Sequence, residues 1–231
     1  MACQREQQDR MIGVVHRDPA GADRLWRGLR ALRPELITLE VSPFGVEFRQ
    51  LRGPRLLKQL EEMVPADRRG HDEILSLIEM LQVPFEARGA ESYALESGAI
   101  VELVGDSVES RELLSTVETE LLAPQNVAAL LSRPDSSPDD SVASLYARHR
   151  RLRDREPIPP AMLGIGDNQL EEMRKREDGL EDRIRRVRAR HEVRRWVHVG
   201  GVMHLMRARG LRLLWERFAG EGVSRVFLDE L

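Results

Sequence analysis

The chain has 231 residues, enough for one α/β domain, and an apolar content of 41% is enough to fill one core. A formal net charge of −3 gives no general attraction to nucleic acid or to an anionic membrane, and with only 4% aromatic residues the core must be built mainly from Leu, Val and Ile. Cys3 is the only cysteine, which excludes an internal disulfide framework and any multi-cysteine zinc site.

The N-terminus is polar, without the apolar core of a signal peptide, and no apolar run approaches the roughly 20 residues of a membrane helix. The expectation is a cytoplasmic protein. The first element is Met11–His16, a run of apolar and β-branched residues without alternation, which reads as a strand buried on both faces. His16 to Gly21 is a turn punctuated by Pro19 and Gly21. Asp23–Leu32 carries Leu25, Trp26, Leu29 and Leu32 at helical spacing and stops at Arg33-Pro34. Glu35–Val41 is a second apolar strand, followed by a turn at Ser42-Pro43-Phe44-Gly45. Strand, helix and strand predict a right-handed crossover between parallel neighbours, about 4.8 Å apart, so His16 and Glu40 fall together at the carboxyl edge where such sheets bind ligands.

Phe48–Met63 and Asp72–Leu81 read as helices, Ala99–Gly105 as a third strand ending at Asp106, and Glu109–Leu122 as another helix. Residues 132–140 are a loop by composition and a candidate lid. Ser141–Arg155 is a basic helix and Pro157–Pro160 a stiff spacer. Asn168–His191 is the longest helix, with a narrow apolar stripe at Leu170, Met173, Leu180, Ile184 and Val187. Its arginine run is read as a solvated face with ion pairs such as Glu181–Arg185 rather than as a phosphate-backbone grip. Arg194–Val199 is a strand, Leu211–Phe218 a helix and Ser224–Leu228 a last strand. The fold class is therefore α/β: one domain over 1–231, a central mixed, largely parallel sheet flanked by helices, with a mainly helical insertion at about 107–193. No phosphate loop follows the first strand. Gly164-Ile165-Gly166 lacks the third glycine of a dinucleotide fingerprint and follows a proline-rich stretch, so nucleotide binding is not expected.

Gly13-Val14-Val15-His16, the downstream Glu40 and Arg49, and a second Gly201-Val202-Met203-His204 resemble the TraB family, grouped with Tiki, GumN, ChaN-like and erythromycin-esterase-like proteins. Arg176, Leu180 and Ile184 match a third motif, in which Glu177 stands where that family carries Asn or Asp. The resemblance implies an α/β fold with the motifs gathered at one edge of a cleft. It also implies either a metal-dependent hydrolase of a peptide or ester bond or a non-catalytic binder of haem, iron or a peptide.

A lone histidine at a strand end is usually a hydrogen-bonded core residue, but two of them beside a carboxylate form a set that can hold a metal. The expected ligands are His16, Glu40 and His204, with manganese, cobalt or zinc as the divalent ion and haem less favoured because aromatics are few. The same trio can also act on a water as general base and acid without a metal. Arg176 or Arg49 is expected to steady a substrate carboxylate or a developing oxyanion, Asp106 to orient a histidine, and Gly13 and Gly201 to allow a close approach of the ligand. His198 is expected to be structural, and His71, His149 and His191 to be exposed. The expected partner is a peptide or small ester, with no nucleic acid and no membrane; a homo-oligomer is compatible with the sequence.

Overall fold

The structure, a computed structural model, describes residues 9–134 and 141–231. Most of the loop expected near 132–140 lies outside the described residues, as does Cys3. Five strands form one sheet: β1 (Arg10–Val14), β2 (Leu36–Leu39), β3 (Ile100–Leu103), β4 (Trp196–Gly201) and β5 (Ser224–Phe227). The sheet order is β3-β2-β4-β1-β5, and all four ladders are parallel, so the sheet is not mixed. The three central strands are buried on both faces, which is why their sequences run apolar without alternation.

The first crossover differs from the expectation. β1 and β2 are not neighbours; β4 lies between them and pairs with both. Glu40 and His16 therefore stand at the ends of strands separated by a third, and whatever ends β4 occupies the space between them. That strand ends in Gly200-Gly201, level with Gly13 and Val14 on one side. On the other side Glu40 N donates to Val199 O.

Nine α-helices are found among the described residues. α1 (Gly21–Leu32) and α4 (Phe85–Ser97) pack together against the sheet. α2 (Pro43–Met63) begins five residues earlier than its apolar pattern indicates. Ser42 caps it by accepting from Gly45 N at 2.9 Å, and Pro43 at the first helical position needs no N–H partner. α2, α3 (Asp72–Leu81), α5 (Ser107–Ser115) and α6 (Pro124–Leu131) enclose a second core around Leu56, Leu60, Leu77 and Val127. That core draws on both sides of β3 in sequence, so it is not one continuous insertion. α7 (Val142–Arg153), α8 (Leu170–Arg190) and α9 (Leu214–Phe218) pack on the main core. Most arginines of α8 are ion-paired or stacked: Arg185 Nε donates to Glu181 at 2.8 Å, and Arg188 lies 4.3 Å over the Trp196 ring, whereas Arg186 Nε donates to Asp182 O. No helix among the described residues is long and apolar enough to cross a membrane.

α4 has no counterpart in the sequence reading. Its buried face is Phe85, Glu86, Ala87, Gly89, Ala90 and Tyr93, too small and too polar to register as an apolar stripe. The small residues serve close helix packing: a Cβ at Gly89 would lie 2.9 Å from Ala22 O of α1. A Gly89→Val substitution therefore forces α1 and α4 apart, with an expected loss of about 1–3 kcal/mol in chemical denaturation, the usual cost of overpacking.

Candidate functional site

The carboxyl edge of the sheet opens into a cleft of about 960 Å³. His16, Glu40, Arg49, Arg176, Gly201 and His204 all line it. His16 stands two residues beyond β1, where Tyr146 Oη on α7 accepts from Val15 N at 3.1 Å. The turn that follows is held by buried Asp18, which accepts from Ala20 N at 3.0 Å and from Arg24 Nη1 at 2.8 Å. His204 lies in a 3₁₀ turn, Val202–Leu205, immediately after β4.

Each histidine has a carboxylate on its Nδ1 that the sequence reading did not assign. His16 Nδ1 donates to Glu86 Oε1 of α4 at 2.6 Å, and His204 Nδ1 donates to Glu177 Oε1 of α8. Glu86 and Glu177 are both buried. For Glu177 a signal existed: it falls on the stripe of Met173, Leu180 and Ile184, so an acidic residue there must be buried with a partner. For Glu86 none did, because its helix was not recognised. Asp106, expected to orient a histidine, instead caps α5 by accepting from Val108 N at 2.7 Å and Glu109 N at 3.1 Å, and it pairs with Arg183 at 3.3 Å.

His204 is a buried imidazole with both nitrogens engaged, since Nε2 lies 2.9 Å from Glu40 Oε1. Burial favours its neutral form, but the charges of Glu40 and Glu177 and the hydrogen bonds to them outweigh burial and raise its pKa to about 10. Burial likewise works to raise the Glu40 pKa. The facing His204 and Arg176 charges, with a hydrogen bond from Gly201 N at 3.0 Å, hold it well below the usual carboxylate range instead. Arg176 Nη2 reaches Glu40 Oε1 at 3.3 Å.

His16 differs from His204. Its side chain is 65% exposed and its Nε2 faces the cleft over Gly201. Desolvation by the surrounding wall lowers its pKa, but the hydrogen bond and charge of Glu86 outweigh this and leave it raised above 6.5.

The two glycines ending β4 exist because of this crowding. A Cβ at Gly200 would lie 2.8 Å from Glu40 Oε2, and one at Gly201 would lie 3.1 Å from His16 Nε2. Gly13 serves packing only: its Cβ would meet Phe227, Leu205 and Val202 at 3.0–3.1 Å, away from both histidines. Of the remaining histidines, His198 is structural as expected. It is fully buried, its Nδ1 lies 3.0 Å from Thr38 Oγ1, and burial lowers its pKa to about 4. His71 is buried rather than exposed and caps α3. His191 is partly buried, with Nε2 donating to Glu102 at 2.9 Å. His149 is also partly buried and lines the cleft, its Nδ1 donating to Leu145 O at 2.8 Å.

As arranged, the expected metal ligands do not offer three lone pairs to one cation. Both His204 nitrogens donate to carboxylates, and Glu40 accepts from His204, Arg176 and Gly201, so His16 Nε2 is the one free nitrogen of the set. Among the described residues no group of three His, Cys, Asp or Glu side chains is placed to hold a metal ion. The cleft offers haem little to stack on: Phe85 is its only Phe, Tyr or Trp ring among the described residues.

No protein-family model matches the chain, and no curated protein and no solved structure matches it.

The His204 cluster makes stability depend on pH in a defined way. The folded His204 pKa lies above the ordinary 6.5, so its contribution is complete below pH 6.5 and is lost as pH rises toward about 10. The folded Glu40 pKa lies below 4.5, so its contribution is complete above pH 4.5 and is lost only in stronger acid. Melting temperature should therefore peak between these limits and decline through the alkaline range. His204→Ala should flatten the alkaline decline and cost about 3–5 kcal/mol at neutral pH, because it strands two buried carboxylates. An unchanged alkaline slope in that variant would remove His204 as its cause.

Gly201→Ala tests the His16 position separately. The added methyl would press on His16 Nε2, so any ligand or reaction that uses this nitrogen should weaken while the melting temperature moves by less than in Gly13→Ala, where the neighbours are buried core atoms.

Proposed function

We propose that the protein is a hydrolase of an ester or amide bond that activates water with a Glu86–His16 dyad. The observation that carries this reading is the asymmetry of His16: its Nδ1 is held by a buried carboxylate while its Nε2 is free and faces an open cleft. Such a carboxylate fixes the ring orientation and the tautomer with the proton on Nδ1, and it stabilises the imidazolium that forms when Nε2 takes a proton. A pKa raised above 6.5 makes His16 a stronger base than an ordinary imidazole.

In the reaction His16 Nε2 removes a proton from water as the oxygen attacks the carbonyl carbon. The carbonyl oxygen gains negative charge, and Arg176, nearly half exposed on the cleft wall, is the cation placed to receive it. His16 then returns the proton to the departing alcohol or amine as the bond to carbon breaks. Glu40 and His204 do not exchange protons in this scheme. Their mutual pairing holds a fixed charge that positions Arg176 and the Gly201 backbone. The paired Gly-x-x-His segments, Glu40 and Arg176 are also the residues of the TraB and Tiki resemblance, whose expectations include a hydrolase; the free His16 Nε2 is what favours that reading over a passive binder.

Hydrolysis of 4-nitrophenyl acetate and of a fluorogenic peptide by protein held in a chelator tests the proposal. His16→Ala should reduce the rate on the order of 10²–10⁴-fold, the usual contribution of a general base. The rate should rise with pH through a midpoint above 6.5, and Glu86→Gln should move that midpoint downward, because desolvation is then opposed only by the smaller effect of the Glu40 charge. Failure of the wild type to turn over either substrate, or His16→Ala matching it, would sink the reading. Activity lost to the chelator and restored by manganese, cobalt or zinc would transfer the water activation to a metal.

A further inference from the structure

The arginines near the cleft differ in how their charge is met. Arg176 is paired with Glu40 at 3.3 Å, and Arg24, behind the His16 turn, is paired with Asp18 at 2.8 Å. Arg49 has no ion-pair partner among the described residues. Its Nε donates to Met80 O at 2.8 Å and its Nη1 to Gly45 O at 2.9 Å. Both acceptors are backbone carbonyls, which orient the guanidinium without neutralising it.

The site around it is built rather than incidental. Arg49 lies two turns into α2 and folds back toward the first turn of that helix. A Cβ at Gly45 would stand 2.9 Å from Arg49 Nη1, so the glycine leaves the room the side chain occupies. Met80, at the end of α3, supplies the second anchor from a different helix. Burial disfavours the charged form of Arg49, and among the charges around it only Glu86 appreciably favours it, at longer range than a direct contact. A guanidinium has five N–H groups, and two are spent on carbonyls. The other three include the Nη1 and Nη2 hydrogens at the end of the fork, which suit the two oxygens of a carboxylate side by side.

We infer that Arg49 is the specificity-determining residue of the cleft and that its substrate carries a carboxylate, bound by the free end of this guanidinium while His16 acts on the scissile bond. The inference rests on the hydrolase reading for the word substrate, but the anion subsite stands or falls by binding alone. Arg49 is then a recognition residue, and the charge it lacks in the free protein comes from the ligand.

Two measurements test it, one of them independent of turnover. In calorimetric titration the wild type should bind succinate, and Arg49→Gln should weaken that binding roughly tenfold or more, the size of one charge-assisted hydrogen bond. Arg49→Lys should restore part of it as a point charge. Inorganic phosphate is the second probe and should bind more weakly than succinate. In turnover, mono-4-nitrophenyl succinate should be preferred over 4-nitrophenyl acetate, and Arg49→Gln should lose most of that preference through KM. Succinate binding that depends on Arg49 without hydrolysis of either ester would keep the anion subsite and end the hydrolase reading. Three results overturn the inference: succinate that binds Arg49→Gln as well as wild type, phosphate that binds through Arg49 in place of succinate, and a variant that moves the pH midpoint of His16 while keeping the ester preference. The last would show Arg49 acting through Glu86. Arg49→Lys carries the same comparisons if Arg49→Gln does not fold.

Discussion

Glu40 and Glu177 face the same buried imidazole from opposite sides, and His204 between them meets both negative charges, with Arg176 and Gly201 N also on Glu40. An isolated carboxylate in such a place would cost several kcal/mol. The cluster joins three parts of the chain: the end of β2, the middle of α8 and the turn after β4. It thereby fixes where α8 crosses the carboxyl edge of the sheet, and with α8 it fixes Arg176. The rest of the cleft is arranged around this charge pattern, which cannot be repacked by small shifts of apolar side chains.

The position of β4 explains the shape of the cleft. A strand between β1 and β2 would ordinarily bring side chains between His16 and Glu40. Ending that strand in Gly200-Gly201 removes them, so the backbone itself passes beneath Glu40 Oε2 and His16 Nε2 and donates Gly201 N–H to the carboxylate. The paired glycines and the strand order are one solution to a single spatial problem. They bring two histidines of different character to one edge. His204 has both nitrogens spent and holds charge in place; His16 keeps one nitrogen free and can move a proton.

The helices divide the work along the same line. α8 and the end of β4 build the static, buried half of the site. α4 and α2 build the more open half, with Glu86 behind His16 and Arg49 on the wall. Close packing of α4 on α1 through Gly89 sets how far Glu86 reaches. A change in helix spacing remote from the cleft therefore changes the hydrogen bond that orients His16.

The sequence by itself determined the strands and most of the helices, and it placed His16, Glu40 and His204 at strand ends. Those features follow from the spacing of apolar residues along the chain, which local backbone geometry turns directly into buried faces. It also exposed Glu177 as a polar residue on an apolar stripe, although not what that residue meets. The tertiary structure alone decided that β4 lies between β1 and β2, because strand order depends on pairings between segments far apart in sequence. It alone decided that Glu86 and Glu177, rather than Asp106, hold the histidines, that His149 faces the same cleft, and that Gly13 serves the core. Glu86 lies 70 residues from His16, on a helix whose small buried residues leave no periodic trace. A buried charge acquires its partner in three dimensions, and no local pattern records which one it will be.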